Sequence, residues 1–413
     1  MAKKIVIVAT LDTRGDEVRY LKEIIEKKGH RAIIVDAGVM GKPQIRGDFP
    51  REKVAEAGGK SLKELVEAAE KGADRFEATK IMIEGVKKIV ADLYSKGELD
   101  GIMSLGGTTA AALGTAAMKV LPIGVPKLLV TTFIDPRPIG DEDITVMQTP
   151  VDLVGLDKIV KKTLTNAAGA IIGMVEQKVP KAEEKPLVGM TVLGVTTPCV
   201  QKIMSRLQKR GYNAVTFHAK TTMLDRLIRE GNIDAIIDVT SFETIPMVLY
   251  PPEYISMLIG APEVRRVRLE SANEKALPQI IAPGGLDMHI FPGTGIDQVP
   301  SEFKGRKWTM HGPSVVLVRT TREELEKVGK NIAERANRAK GPVAIIIPLH
   351  GFSEASKKGA PLHDPEADQG FIKSLKENVE KKVKVVEVDC HINDDLFADK
   401  VVETFEELIK GRR

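Results

Sequence analysis

The stretch of sequence that decides the fold is DGIMSLGGTTAAALGTAAMKVLPIGVPKLLVTT, at residues 100–132. Its first apolar run, Ile102–Leu105, predicts a buried strand that ends at two glycines, Gly106 and Gly107. An Ala-rich helix is predicted from Thr108, and a second apolar run then predicts another strand. Strand, helix and strand in this order are typical of an α/β sheet.

The turn between the first of these strands and the helix has the composition of an anion-binding loop. Glycine lets the backbone turn with positive φ and lets a ligand approach closely. The free N–H groups of the following helical turn attract an anion such as phosphate. The alternative is a tight turn in which the threonines only cap the helix. On the first interpretation the phosphate socket consists of Gly106, Gly107, Thr108, Thr109, Thr131 and Thr132.

Short β-branched runs alternate with amphipathic helices along the whole chain, which predicts a doubly wound α/β architecture with parallel sheets. In the first half, the pattern predicts a strand at Ile5–Ala9, a helix at Asp16–Lys28 and a strand at Ala32–Val35. Residues 37–60 are rich in glycine, proline and charge, and they are predicted to form a loop.

The chain divides into two halves with similar patterns. Residues 176–187, EQKVPKAEEKPL, are charged and carry no strand signal. After them VGMTVLGVTTP, residues 188–198, echoes IVIVATLDT, residues 5–13. Because open α/β sheets bind ligands at the carboxyl ends of their strands, we expect two Rossmann-like domains that face a shared cleft. The predicted divisions are a first domain at 1–178, a linker at 179–187 and a second domain at 188–413.

Polar residues also follow the first strand, just before the next helix. Hydroxyls, carboxylates and a glycine at this place suit a metal ion or the phosphates and ribose of a nucleotide. The alternative is that they only cap the helix and complement its dipole. The glycine fingerprint of dinucleotide folds is absent from the sequence, which disfavours NAD. The candidates are Thr10, Asp12, Thr13 and Gly15, together with Asp36, which ends the second strand where such sites place a ribose-binding carboxylate.

Six of the seven histidines lie beyond residue 217, mostly beside turn residues. A single histidine of this kind is more often a loop or capping residue than a catalytic one. Combined with carboxylates and an arginine that also follow apolar runs or turns, the histidines predict a polar catalytic cleft in the second half. The candidates for this chemistry are His218, Asp238, Glu243, Asp287, His289, His311 and Arg319.

Composition excludes several classes of protein. The 413 residues include 61 basic and 57 acidic ones and only 4% aromatics, without a basic block, so nucleic acid is not the expected ligand. No apolar stretch approaches the roughly 20 residues of a membrane helix. Two distant cysteines, Cys199 and Cys390, argue against a disulfide framework and fit a reducing cytosol. We therefore expect a cytoplasmic protein that contacts no membrane.

Many of the candidate residues lie in segments that resemble a known family, and these segments run along nearly the whole chain. In the first half they include TLDTRGDE at 10–17 and LGGTTAAALGTAAMKVLPIGVPKLLVTT at 105–132. In the second half they include GVTTP at 194–198, VRTT at 318–321 and HIND at 391–394. In this order the segments resemble the Tm-one-like ATP-binding family (uncharacterised protein family 0261), whose plant member inhibits tobamovirus replication and whose prokaryotic members are largely uncharacterised.

The resemblance implies two α/β domains with ATP, accompanied by Mg²⁺, bound in the first. The phosphate socket of the first domain and the acid–base residues of the second lead us to expect an enzyme that uses ATP to phosphorylate or ligate an unknown small-molecule substrate in the cleft between them. We further expect a homo-oligomer. One alternative is a partner-binding protein that nucleotide regulates without catalysis. A third interpretation is a metal-dependent lyase or hydrolase built on Asp287, His289, His311 and His391. Carried onto this chain, the nucleotide residues are those around Thr10, Asp12, Asp36, Gly106, Gly107, Thr108, Thr131 and Thr132.

Overall fold

The computed structural model of the chain describes residues 2–70, 75–178, 185–218, 221–251 and 268–411. The chain forms two compact units, Met1–Lys181 and Ala182–Arg413, called here the first and second unit. Within the described ranges, no helix is long and apolar enough to cross a lipid bilayer.

The first unit is built on a parallel sheet of five strands in the order β2-β1-β3-β4-β5. Nearly all residues of its central strands are buried, as expected for a sheet covered on both faces. Pairing of Gly106 with Thr131 brings the two polar strand ends of the 100–132 stretch side by side. The strands are β1 (Lys4–Ala9), β2 (Arg31–Asp36), β3 (Gly101–Gly106), β4 (Lys127–Thr131) and β5 (Thr145–Gln148).

Helices cover both faces of this sheet. The first and the last of them, α1 and α7, pack on one face through residues such as Leu21 and Ile171. On the other face α2, α4 and α5 pack through residues such as Val54, Met82 and Leu113. The helices are α1 (Leu11–Lys27), α2 (Arg51–Gly58), α3 (Leu62–Glu70), α4 (Arg75–Ser95), α5 (Thr108–Lys119), α6 (Pro136–Ile139) and α7 (Lys158–Glu176).

The structure contains a helix where the sequence predicts a loop. Helix α2 lies inside the segment 37–60, between Pro50 at its N-cap and Gly59, which ends it with a φ of 101°. Only Val54 and Ala55 of its eight residues are buried, so its apolar face is too narrow to give a helical pattern in the sequence. The loop prediction for 51–58 is therefore wrong.

The second unit contains a parallel sheet of six strands in the order β7-β6-β8-β9-β13-β14. Its first three strands repeat the order β2-β1-β3 of the first unit, as the sequence echo suggests. The strands are β6 (Leu187–Val192), β7 (Asn213–His218), β8 (Ala235–Asp238), β9 (Gln279–Ile281), β13 (Val343–Pro348) and β14 (Lys384–Val388). Strand β6 begins at Leu187, inside the predicted linker, and residues 179–184 of that linker lie outside the described residues.

A small antiparallel sheet is inserted between β9 and β13, and the sequence pattern did not predict it. Its order is β10-β12-β11, with β10 at Met288–Pro292, β11 at Trp308–Met310 and β12 at Val315–Arg319. Pairing of Met288 with Arg319 fixes the register of β10 on β12. Arg319 is therefore held at the end of a strand that is paired on both sides.

Helices cover both faces of the six-stranded sheet as well. On one face pack α8 (Thr197–Lys209) and α14 (Asp395–Lys410). The other face carries α9 (Thr222–Arg229), α11 (Glu270–Glu274), α12 (Arg322–Asn337) and α13 (Pro365–Asn378), while the short α10 (Thr244–Leu249) contacts α12. Two helix-flanked parallel sheets confirm the predicted α/β class with two Rossmann-like units. The shared cleft stays a prediction.

Candidate functional site

The first unit has an open crevice at the carboxyl edge of its sheet, where neighbouring strands β1 and β3 are followed by helices on opposite faces. Such a switch point is where open α/β sheets bind their ligands. A cavity of about 320 Å³ lies there. Its polar lining comes from Thr10, Asp12, Thr13, Thr79 and Thr109, and its apolar lining from Ala37, Val39, Met40, Ala78, Met82 and Leu113.

The loop between β3 and α5 turns at two glycines and opens toward solvent. Gly106 has a φ of +141°, which favours glycine over any residue with a side chain. A Cβ atom built at Gly107 would meet nothing closer than Thr132 Oγ1, at 3.8 Å. Helix α5 starts at Thr108 without a side-chain cap at Gly107. Its first N–H groups are thus available to an anion, as the sequence predicts for this loop.

A second helix begins across the same cavity, because α1 follows β1 directly. Its N-cap residue is Thr10, whose Oγ1 lies 2.9 Å from Thr13 Oγ1. The helix is irregular at Arg14, where φ is −130° and ψ is 17°. This irregularity brings Arg14 Nε to 4.0 Å from a Cβ atom built at Gly106. A cationic side chain therefore lies beside the glycine loop.

The two aspartates of the first site have different surroundings. Asp12 lines the cavity, and its Oδ2 accepts a hydrogen bond from the N–H of Gly41 at 2.9 Å. The other oxygen, Oδ1, is buried and has no hydrogen-bond partner among the described residues. A buried carboxylate oxygen without a partner is costly unless a ligand or water satisfies it. Asp12 is therefore the side chain best placed to hold Mg²⁺ or a ribose hydroxyl.

Asp36 does not line the cavity but holds the turns beside it. Its Oδ1 accepts hydrogen bonds from the N–H groups of Leu11 at 3.1 Å and Gly38 at 2.9 Å. Burial raises the pKa of Asp36, and these two hydrogen bonds oppose that rise. Its contacts fix the positions of the turns that follow β1 and β2.

The remaining predicted nucleotide residues divide between the loop and its support. Thr132 donates its N–H to Gly106 O at 3.3 Å, and Thr108 is exposed at the start of α5. Thr131 is buried and donates its hydroxyl to Phe133 O at 2.9 Å. Gly15 packs against Gln44, whose Cβ would lie 2.6 Å from a Cβ atom built there. Thr131 and Gly15 therefore shape the loop and the helix, respectively, without facing the cavity.

In the second unit, Asp238 and Glu243 belong to one buried ion network. Arg268 donates to Asp238 through Nη2 at 2.7 Å and Nε at 3.0 Å, and to Glu243 through Nη1 at 2.6 Å. Arg335 Nη2 adds a longer contact to Asp238, at 3.4 Å. Burial alone would raise the pKa of Asp238, but the two guanidinium groups outweigh it and hold this pKa at about 2. These contacts give both carboxylates a structural role.

Asp287 and Arg319 meet in a second group. Arg319 Nη1 donates to the backbone oxygen of Asp287 at 2.9 Å, and Nη2 donates to Asp368 Oδ1 at 2.5 Å. Burial raises the pKa of Asp368 to about 6, although the Arg319 charge opposes the rise. Ser353 donates its hydroxyl to Asp287 Oδ2 at 2.5 Å.

The three predicted histidines lie apart from one another. His289 is 1% exposed and packs against Phe291 and Phe303, with Nε2 3.0 Å from Glu324 Oε2. His218 ends the edge strand β7, and His311 precedes β12; both are exposed. The structure therefore joins Asp238 with Glu243 and Asp287 with Arg319, but it does not bring the three histidines together. Among the residues it describes, no group of three or more His, Cys, Asp and Glu side chains could hold a metal ion.

Comparison with known families assigns both halves of this chain to one family. The uncharacterised protein family (UPF0261) N-terminal domain matches residues 3–180, and the C-terminal domain of the same family matches residues 185–409. The chain belongs to UPF0261. This confirms the family resemblance inferred from the sequence motifs.

Relatives of this UPF0261 chain cover it nearly end to end. A UPF0261 protein of Clostridium tetani is 40% identical over 406 residues, which are 96% of this chain and 97% of that protein. A UPF0261 protein of Brucella suis is 30% identical over 409 residues, 98% of this chain and 95% of its own length. The ToMV susceptible protein tm-1(GCR26) of Solanum lycopersicum is 29% identical over 433 residues, 98% of this chain but 56% of the tomato protein.

Sequence reasoning missed the apolar lining of the cavity in the UPF0261 first unit, and it missed Arg14, a further candidate beside the glycine loop. Arg14 stands in the TLDTRGDE segment, between residues that were selected as candidates. Its side chain is only 15% exposed and pairs with Asp152 at 3.3 Å, across 138 positions of sequence. The one available signal was a cation next to a predicted phosphate socket, since arginine is well suited to phosphate.

Proposed function

We propose that the first unit binds ATP together with Mg²⁺. The observation that carries the proposal is the uncapped N-terminus of α5 at the edge of the cavity in this unit, with Arg14 beside the glycine loop that precedes the helix. Thr109, in the first turn of α5, lines the cavity together with the hydroxyl residues Thr10 and Thr13, whereas the first N–H group of α1 is already bonded to Asp36. A helix N-terminus and a guanidinium group are two sources of positive potential, and together they suit a polyphosphate better than a neutral metabolite.

The remaining lining of the cavity fits the other parts of the nucleotide. Val39, Met82 and Leu113 give an apolar wall against which a flat base can pack. Asp12 Oδ1 has no hydrogen-bond partner among the described residues, and it is a hard oxygen of the kind that Mg²⁺ prefers. When bound, the ion would neutralise phosphate charge, and Asp12 would hold it directly or through water.

Binding without hydrolysis is the form of this function that the cavity supports best. Its described lining contains hydroxyls and one carboxylate, but no histidine or lysine to act as acid or base. The tomato relative is named as a ToMV susceptible protein, and this favours the alternative of a nucleotide-regulated, partner-binding protein. Release of labelled phosphate from ATP by the purified chain, lost on substitution of Asp12, would instead establish an enzyme.

Arginine at position 14 gives the first test of this proposal. Arg14→Gln should weaken Mg-ATP binding by about 10- to 100-fold, because a charge-assisted hydrogen bond contributes about 1.5–3 kcal/mol. The measurement is isothermal titration calorimetry on the full chain. Arg19→Gln is the matched control, since Arg19 lies on the same helix and pairs with Asp16 at the surface. Equal ATP affinity of the two variants would contradict a phosphate-binding role for Arg14.

A further inference from the structure

A second cavity of about 320 Å³ lies in the second unit, outside every group of residues assigned above to ATP. It lies where β12 ends and α12 begins, opposite the start of α13. Four cationic side chains line it: Arg306, Lys307, Arg319 and Arg322. The carboxylates of its lining are those of Asp364 and Glu366. The lining therefore carries more positive than negative side chains.

Two polar groups in this lining are buried and lack partners. Thr320 is fully buried, and its Oγ1 has no hydrogen-bond partner in the described part of the chain. Arg319 is 3% exposed, and its Nε is likewise without a partner, although both of its Nη atoms are bonded. A buried donor left unsatisfied costs the full desolvation of that group. Because both residues line the cavity, a ligand bound there is the partner that we infer for these two groups.

Helix capping does not account for the free groups. Thr321 is the N-cap residue of α12, and its Oγ1 accepts a hydrogen bond from the N–H of Glu324 at 3.3 Å. Glu324 completes the capping box by accepting from the N–H of Thr321 at 2.8 Å. The cap is therefore closed by its own residues, while Thr320, one position earlier, keeps a free hydroxyl.

The other cations of the cavity have donors to spare. Arg306 Nη1 pairs with Glu324 at 2.8 Å, and Arg322 Nε pairs with Glu326 at 3.1 Å. Lys307 Nζ donates to His363 O at 2.7 Å and lies 3.3 Å from Asp364 Oδ2. A guanidinium carries five N–H groups and an ammonium three, so these pairs leave further donors unused. An anion can thus bind here without breaking the existing ion pairs.

We propose that this cavity binds a phosphate group carried by a small metabolite. The cavity gathers hydrogen-bond donors from three segments: the end of β12, the turn that follows it and the segment before β11. Together these donors are more than the two oxygens of a planar carboxylate can accept. A tetrahedral oxyanion with three or four oxygens can use them, and arginine is the side chain that best matches it. The volume is at the lower end of the about 300–1,000 Å³ typical of small-molecule pockets, so a phosphorylated metabolite of modest size fits.

Binding of radiolabelled inorganic phosphate to the full chain, measured by equilibrium dialysis, tests the proposal. Thr320→Val removes the free hydroxyl and keeps the side-chain shape, and Arg322→Gln removes one cation of the rim. Each should weaken one phosphate site by about tenfold or more, because each removes a hydrogen bond to a charged group. Lys330→Gln is the matched control: it removes the same charge from an exposed position of the same helix and should bind phosphate as the unaltered chain does.

The Gly107→Val variant distinguishes phosphate binding at this site from binding at the ATP cavity. The Gly107→Val variant should bind phosphate at the second-unit site as tightly as the unaltered chain does. The phosphate measurement can therefore succeed even if the chain does not bind ATP at the glycine loop. Competition by a sugar phosphate but not by acetate would support a phosphate ester as the ligand class, whereas competition by free phosphate alone would overturn the metabolite and leave only the free ion. Unchanged phosphate affinity in both Thr320→Val and Arg322→Gln would overturn the proposal. If Thr320→Val fails to fold, the exposed Arg322→Gln variant decides alone.

Discussion

Gly107→Val is expected to reduce the affinity of the chain for Mg-ATP by about 100-fold or more. The valine side chain would occupy the space in which phosphate must approach the N–H groups of α5. Loss of two charge-assisted hydrogen bonds of about 1.5–3 kcal/mol each gives an effect of this size. The backbone itself tolerates the change, because φ is −86° at Gly107 and, of the described residues, only Thr132 places an atom (Oγ1) within 4 Å of the built Cβ.

Calorimetric titration with Mg-ATP measures this effect, and thermal unfolding checks that the fold is retained. The matched control is Gly169→Val, since Gly169 lies on α7 of the same unit with nothing within 4 Å of its built Cβ. This control should lower stability slightly, by helix propensity, and leave ATP affinity unchanged. If the Gly107→Val chain folds and binds ATP with unchanged affinity, the glycine loop does not bind the phosphates of ATP.

Asp238→Ala should lower the free energy of unfolding by about 3–5 kcal/mol, the usual cost of removing one partner from a buried ion network. The substitution would leave Arg268 and Arg335, both at most 3% exposed, without their shared carboxylate. Because the pKa of Asp238 is held at about 2, below its unfolded value, its contribution is present above the unfolded pKa and is lost as pH falls toward 2.

Urea unfolding of the full chain at neutral pH provides the measurement for Asp238→Ala. Asp399→Ala is the control, since Asp399 is 51% exposed and pairs with Arg206 at the surface. An exposed pair contributes no more than about 1 kcal/mol, so the control should unfold close to the unaltered chain. Equal destabilisation by the two substitutions would show that the Asp238 network is not a structural centre of the second unit.

Local sequence patterns were sufficient to predict the strand, turn and helix beside the first cavity, because these elements are consecutive in the chain. A buried run, two glycines and an Ala-rich helix occupy consecutive positions, and the structure places α5 at Thr108–Lys119 as that order requires. The sequence also predicted helix α1, although the helix begins at Leu11, five residues before the predicted start at Asp16. The irregular turn at Arg14 explains the difference, since it interrupts the helical pattern there.

The surroundings of the second-unit residues depend on contacts that no local pattern records. Asp238 meets Arg268 from 30 positions away, and Arg319 meets Asp368 from 49 positions away. His289 was predicted to be catalytic. In the structure it lies in the antiparallel sheet, which the pattern did not predict, and its ring packs against Phe303. Residue type at a strand end indicates polarity there, but the fold decides whether the group faces a ligand or an ion pair.

The position of bound nucleotide in crystals of the full chain, grown with Mg²⁺ and a non-hydrolysable ATP analogue, tests the central claim most directly. We predict density for the phosphates within hydrogen-bonding distance of the N–H groups of Thr108 and Thr109, beside Arg14, with the metal next to Asp12. The base should lie against Val39 and Leu113. Nucleotide density beside His289 instead, or no density at the glycine loop at saturating concentrations of the analogue, would contradict the account.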